Sequence, residues 1–225
     1  IPRLLGIEGR LEANKDKKIV PFKKGGLEVV STGLITDDED TALMWRGLML
    51  SKALEQFLFD VEWGNLDYLV IDMPPGTGDI QMALGRLLPQ TELVVVTTPQ
   101  LSAQKVATRV ADMAKRSFIP LLGVVENMSY FESGEGNKYN IFGEGGGSEL
   151  SKKFGIPLLN KIPISEDSIE ESENGNPILL QEKNTPTKKA MQDLVNTIVK
   201  ILPPVSDETC TGRLAKVLEE LEVEA

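Results

Sequence analysis

The 225-residue chain has no histidine and one cysteine, Cys210. Without imidazole there is no His-based metal site, no Ser–His triad and no histidine general base. One cysteine closes no internal disulfide, which fits a reducing compartment. No apolar run approaches the ~18 residues of a membrane-spanning helix, and no signal peptide is visible at Ile1. A cytoplasmic location without a membrane partner is therefore expected. Basic residues are in deficit, 24 Lys and Arg against 34 Asp and Glu, for a net charge of −10. That balance disfavours general binding to nucleic acid or anionic surfaces. The pattern G-x-x-x-x-G-K-[ST] is also missing. Gly25-Gly26 follows lysines but leads to no GK[ST], and Gly143 to Gly147 contains no lysine. What remains, 41% hydrophobic and 26% charged residues, suits one globular domain with a substantial core.

The chain centres on Asp67 to Asp79, DYLVIDMPPGTGD. Tyr68 to Ile71 is an apolar, β-branched run of the kind that forms a strand buried on both faces of a parallel sheet. It ends on Asp72, and open α/β sheets bind ligands at the carboxyl ends of their strands. Pro74 and Pro75 delay the next helix, while Gly76 and Gly78 permit tight turns and close approaches. Strand, acid and glycine-rich turn together make a Walker B-like element, in which the acid helps hold Mg²⁺ and the turn responds to a γ-phosphate.

Strands and helices alternate around this stretch. Leu27 to Ser31, Leu93 to Thr97, Leu121 to Glu126 and Leu158 to Ile162 read as strands. Thr41 to Phe59, Ile80 to Leu88, Ala103 to Arg116 (capped by Ser102) and Thr185 to Ile201 (with Pro186 in its first turn) read as helices. This order predicts an α/β fold, a mostly parallel, doubly wound sheet with helices on both faces. Residues 1–202 form one domain in this reading. Pro203 and Pro204 open an acidic tail, 203–225, with a short helix from Gly212 to Leu221. Glu8 to Phe22 reads as a surface excursion, and Tyr130 to Gly147 as a long glycine-rich loop. Its GEGGG run is either an anion-binding nest or a flexible lead into a helix at Ser148. Trp45 and Trp63 read as packing anchors.

Trp45-Arg46-Gly47, WGNLDYLVIDMPPGTGD from Trp63, VVVTTPQ from Val94, GVVENMSYF from Gly123 and FGEGGG from Phe142 together resemble the Mrp/NBP-type branch of the MinD-like, deviant Walker A P-loop ATPases, known as iron–sulfur cluster carrier proteins. The resemblance spans roughly residues 1 to 180. It implies a P-loop NTPase-like fold of the MinD/SIMIBI type and an ATP-binding and hydrolysing carrier that acts as a nucleotide-dependent homodimer. ATP and Mg²⁺ would be its cofactors, and iron–sulfur clients or scaffolds its partners. By the same resemblance Asp72 is the catalytic Walker B acid, reaching Mg²⁺ directly or through water. Pro74, Gly76, Thr77, Gly78 and Asp79 form the nucleotide-sensing turn. Asn127 bonds the adenine edge, for which a side-chain amide offers donor and acceptor together, although the same amide also suits a loop Asn that satisfies its own backbone. Pro163 and Ile164, in the IPIS segment from Ile162, flank the base. Arg46 either reaches a dimer partner's nucleotide or sits in a surface ion pair.

The sequence departs from that pattern twice. A KGGVGKS-like loop and a D-x-D-x-x-G-P-S stretch both precede an IPRLLG-like segment in such families, and here IPRLLG is the start. The expectation is a domain lacking its N-terminal Walker A unit and its central P-loop strand. The C-P-x-C that usually follows NMSYF is replaced by Glu132-Ser133-Gly134-Glu135. A thiolate-held cluster normally needs four cysteines, and a symmetric pair sharing Cys210 offers two. The alternative function is a non-catalytic or cluster-independent MinD/ParA-like scaffold. Its tail, rich in Glu, fits neither anionic lipid nor DNA.

Overall fold

The computed structural model describes residues 1–35, 47–74, 79–133, 136–164 and 173–204. Its centre is a three-stranded parallel sheet of β5 (Leu93–Thr97), β6 (Leu121–Glu126) and β9 (Leu158–Lys161), in the order β5-β6-β9. As the middle strand, β6 is buried almost throughout, which is why LLGVVE carries no polar alternation before its last residue. Val95 pairs with Val124, and Val124 with Leu158. Helices α3 (Leu101–Arg116) and α4 (Gly146–Phe154) cover these residues. Val95, Ala107, Ala111, Val124 and Leu150 form the core, flanked by Leu93, Leu121, Phe154, Ile156 and Leu158. Small residues at 107, 111 and 114 make one face of α3 and let it lie close to the sheet. At Gly123 an added Cβ would stand 2.6 Å from Leu159 Cγ and 2.7 Å from the Pro157 carbonyl, so the β6–β9 approach requires glycine there.

The last helix, α5 (Pro186–Ile201), begins as its sequence predicts. Pro186 occupies the first turn and the Thr185 hydroxyl accepts from the Lys188 amide at 3.1 Å. Asn160 Nδ2 donates to the Ala190 carbonyl at 2.8 Å, which ties α5 to β9. Helices α1 (Gly47–Phe59) and α2 (Asp79–Leu87) pack on one another. The N-terminal residues form two antiparallel ribbons, β1 (Glu12–Ala13) with β2 (Ile19–Val20) and β3 (Phe22–Lys24) with β4 (Leu27–Val29). They carry their own small core of Ile7, Val29 and Leu34, backed by Leu5, Leu11 and Phe22. Trp63 is half-buried and tethered, its indole donating to the Phe57 carbonyl at 2.8 Å. Among the described residues no helix is long and apolar enough to cross a membrane.

Three expectations are corrected. Tyr68 to Ile71 forms no strand: the segment is irregular, and Val70 is 89% exposed. A strand exists by bonding to a neighbour, and no described strand runs beside this one. Tyr68 instead donates its hydroxyl to the Leu202 carbonyl at 2.6 Å. The outer edge of β5 is likewise unpaired among the described residues, and Val96 is 58% exposed. Ser102 is not a cap. The helix starts at Leu101 behind Gln100, and Gln104 Nε2 holds the entry by donating to the Pro99 carbonyl at 2.8 Å. The span from Tyr130 to Gly147 is more ordered than a loop, with a hairpin of β7 (Phe131–Glu132) and β8 (Lys138–Tyr139), and α4 starting at Gly146. Trp45, Arg46, Cys210 and the Gly212 to Leu221 helix lie outside the described residues.

Candidate functional site

The carboxyl ends of the parallel strands bring the chemistry together. Beyond β6 and β9 the chain keeps pairing. The Ile162 amide donates to the Glu126 carbonyl at 2.8 Å, the Ser129 amide to the Ile162 carbonyl at 2.9 Å, and the Ile164 amide to the Tyr130 carbonyl at 2.8 Å. Phe131 and Ile164 form an isolated parallel bridge. On the other side the Asn127 amide donates to the Thr97 carbonyl at 2.7 Å. Asn127 is half-buried, with its Oδ1 accepting from the Met128 amide at 3.0 Å. Pro163 is buried, its carbonyl accepting from Thr187 Oγ1 at 3.1 Å, and Ile164 is half-buried. Three sequence-predicted residues, Asn127, Pro163 and Ile164, therefore share one corner. A side-chain amide at such a corner, offering donor and acceptor together, suits the edge of a heteroaromatic ring.

Glu126, absent from the sequence reading as a site residue, is fully buried behind this corner. Its Oε1 accepts from Ser129 Oγ at 2.5 Å, its Oε2 accepts from the Gly147 amide at 2.5 Å, and Lys161 Nζ stands 3.5 Å away. An acid closing an otherwise apolar strand, with Ser three residues on, was the available signal. This arrangement decides the character of GEGGG. Gly143 and Gly145 take φ of 86° and 83°, and Gly146 and Gly147 are buried in the first turn of α4. The amide at Gly147, where an external anion would bind a helix start, is filled by the protein's own carboxylate.

The acidic half of the predicted site is less complete. Asp72 is exposed and follows no strand, and no described hydrogen bond or ion pair links it to the Asn127 corner. Pro74 is exposed and Asp79 opens α2, while Gly76, Thr77 and Gly78 lie outside the described residues. Among the described residues no group of three or more Asp, Glu, Cys or His is placed to hold a metal. The described residues thus fit a base but do not by themselves build a Mg²⁺ site. The buried Thr98 hydroxyl, just past β5, lacks a hydrogen-bond partner among them, and an orphaned buried donor at a strand's carboxyl end is consistent with a ligand there.

Clear pKa displacements occur elsewhere, in the joint between the N-terminal ribbons and residues 61–64. The Gly64 amide at 2.9 Å, and then Lys23 at 2.8 Å, hold the Glu28 carboxyl below its usual 4.5. The bond to Glu28 raises Lys23 above 10.5.

Comparison with known proteins gives a consistent result. The family model for ParA, described as NUBPL iron-transfer P-loop NTPase, matches residues 1–199. The iron–sulfur cluster carrier protein of Aquifex aeolicus is 40% identical over 204 residues, covering 90% of this chain and 56% of that protein. Its counterpart in Saccharolobus solfataricus is 37% identical over 205 residues, 90% and 69% of the two chains. A nucleotide-binding protein from Archaeoglobus fulgidus, solved in complex with ADP, superposes with a TM-score of 0.65 at 33% identity, over 83% of this chain and 72% of that one. The cell division ATPase MinD of Pyrococcus furiosus, at a TM-score of 0.51 and 22% identity over 69% of this chain and 59% of that one, shares the fold. The chain spans little more than half the length of the Aquifex relative.

Proposed function

We propose that this chain, which belongs to the NUBPL iron-transfer P-loop NTPase family, binds an adenine nucleotide between Asn127 and the Pro163–Ile164 segment and serves an ATP-hydrolysing iron–sulfur carrier. The observation that carries the reading is the continued pairing of residues 126–131 with 162–164 beyond the strand ends. It gives the base an edge contact and an aliphatic face on one rigid support. Asn127 Oδ1 keeps a second lone pair after its bond to Met128, and Nδ2 supplies donors, the pair that the adenine edge requires. Asp72 is proposed as the catalytic acid, and Pro74, Gly76, Thr77, Gly78 and Asp79 as the turn that senses the nucleotide. Mg²⁺, a homodimeric active state, cytoplasmic location and iron–sulfur clients belong to the same proposal by family membership. No cluster ligand is assigned within this chain, since Glu132-Ser133-Gly134-Glu135 follows NMSYF where such families usually carry C-P-x-C.

Calorimetric titration of the 225-residue chain with Mg-ATP and Mg-GTP, alongside a phosphate-release assay, tests this. Asn127→Ala should weaken ATP roughly tenfold or more and abolish its preference over GTP, with a smaller effect on saturated turnover, because base contacts are alike in ground and transition states. In a version carrying the P-loop, Asp72→Asn should keep most of the affinity and lower hydrolysis by at least ~10²-fold, because a charge near the transferring phosphoryl group is removed. Parental hydrolysis in Asp72→Asn would remove Asp72 from the mechanism. A second reading is favoured by Glu132-Ser133-Gly134-Glu135 standing after NMSYF in place of C-P-x-C: a cluster-independent scaffold that binds partners without hydrolysis, for which the titration shows no nucleotide heat at all.

A further inference from the structure

The turn that carries Asn127 is two residues long and fastened at both ends. The Asn127 amide is held by the Thr97 carbonyl, and beyond the turn the Ser129 amide is held by the Ile162 carbonyl. Between them Met128 takes φ 52°, a left-handed conformation that an unbranched side chain without a polar group adopts only at a cost. Backbone ties at 127 and 129 do not alone specify that hand. The contact that closes the turn is the Glu126–Ser129 bond, 2.5 Å between Oε1 and Oγ, across the same two residues.

Glu126 is an expensive way to end a buried strand. It is 0% exposed, and a carboxylate out of water destabilises a fold unless it is fully partnered. An aliphatic side chain would continue LLGVV without that penalty. Its partners come from three directions: Ser129 in the turn, the Gly147 amide at the start of α4, and Lys161 at the end of β9. Gly147 admits it, since a Cβ there would lie 2.8 Å from Glu126 Cβ. The carboxylate thus registers the turn against both elements that flank the corner.

We infer that Glu126 is the positioning residue of the base site: with Ser129 it locks the left-handed turn at Met128 and so aims the Asn127 amide, while Gly147 and Lys161 hold the carboxylate in place. This rests on the reading of Asn127 as the base contact. If Glu126 only caps α4, its loss lowers stability and leaves nucleotide discrimination unchanged.

The experiment uses the 225-residue chain and the variants Ser129→Ala, Glu126→Gln, Asn127→Ala and the double variant Ser129→Ala/Asn127→Ala. Ser129→Ala removes one bond and keeps the Gly147 contact, so it remains informative should Glu126→Gln fail to fold. Backbone carbon shifts and the amide–α-proton coupling at Met128 read the sign of φ, and titration with Mg-ATP and Mg-GTP reads discrimination. The expected result is loss of the left-handed signature at Met128 in Ser129→Ala and Glu126→Gln, with ATP affinity reduced roughly tenfold and GTP affinity by no more than about twofold. In the Asn127→Ala background, Ser129→Ala should have no further effect on ATP. A left-handed Met128 in both variants, or equal losses for ATP and GTP, overturns the inference. If the parent chain does not distinguish ATP from GTP, the base-contact reading of Asn127 falls; the Met128 signal still decides whether Glu126 fixes the turn.

Discussion

Gly147→Ala adds one methyl at a place with no room for it. The new Cβ would lie 2.8 Å from Glu126 Cβ, 3.1 Å from Glu126 Oε2 and 3.1 Å from Leu158 Cδ1. Glu126 Cβ belongs to the central strand and cannot swing aside, so the first turn of α4 must retreat. Overpacking of this kind costs about 1–3 kcal/mol. The retreat also stretches the bond from the Gly147 amide to Glu126, and hydrogen bonds to charged groups contribute about 1.5–3 kcal/mol. Alanine returns about 1 kcal/mol through its better helix propensity. The net expectation is a loss of about 1.5–5 kcal/mol, centred near 3. Gly145→Ala is the control. At φ 83° with nothing within 4 Å of the added Cβ, it meets only backbone strain, about 1 kcal/mol. Urea unfolding followed by far-UV circular dichroism reads both changes as shifts in midpoint at constant slope. A Gly147→Ala loss no larger than that of Gly145→Ala refutes the view that these glycines form a close-packed joint, and restores the flexible loop.

The β5 edge, unpaired among the described residues, and the exposed Leu69, Val70 and Val96 predict that the chain self-associates. Val70→Lys, at its most exposed point, should shift sedimentation toward monomer, and a parent that already sediments as a clean monomer at all concentrations contradicts this. The Glu28 carboxyl is depressed on folding, so its pairing stabilises the native state above the usual value of 4.5 and is lost as pH falls through the folded value. Lys23 is raised, so its share is present below 10.5 and is lost as pH rises through its folded value. Glu28→Gln should therefore be less stable than the parent near neutral pH and converge with it in acid. A gap that persists in acid would mean that the Gly64 contact acts by packing alone.

Two runs in this sequence carry the same local signal and meet opposite fates. Leu93–Thr97 and Tyr68 to Ile71 are both short, apolar and rich in β-branched residues, yet only the first becomes a strand. Composition reports which residues tolerate a pleated, buried setting; it does not report whether a neighbour is present to bond. Leu93–Thr97 has β6 beside it, and Tyr68 to Ile71 has no strand beside it among the described residues. The helices were legible because their signals are internal: Thr185 and Pro186 specify a start within one turn of chain. The Asn127 corner was legible in part, since the strand ends and the IPIS segment are contiguous motifs. What brings them together was not, because it is the pairing of residues 126–131 with 162–164, partners more than 30 positions apart in the chain, and no local pattern encodes that distance. Of the two alternatives for Asn127, the structure shows the local one. Its Oδ1 accepts from the Met128 amide, on the turn whose ends are tied to Thr97 and Ile162. For the base contact proposed above, an amide restrained in this way would lose less rotamer entropy on meeting a ligand than a free one does, so the local bond would assist that contact.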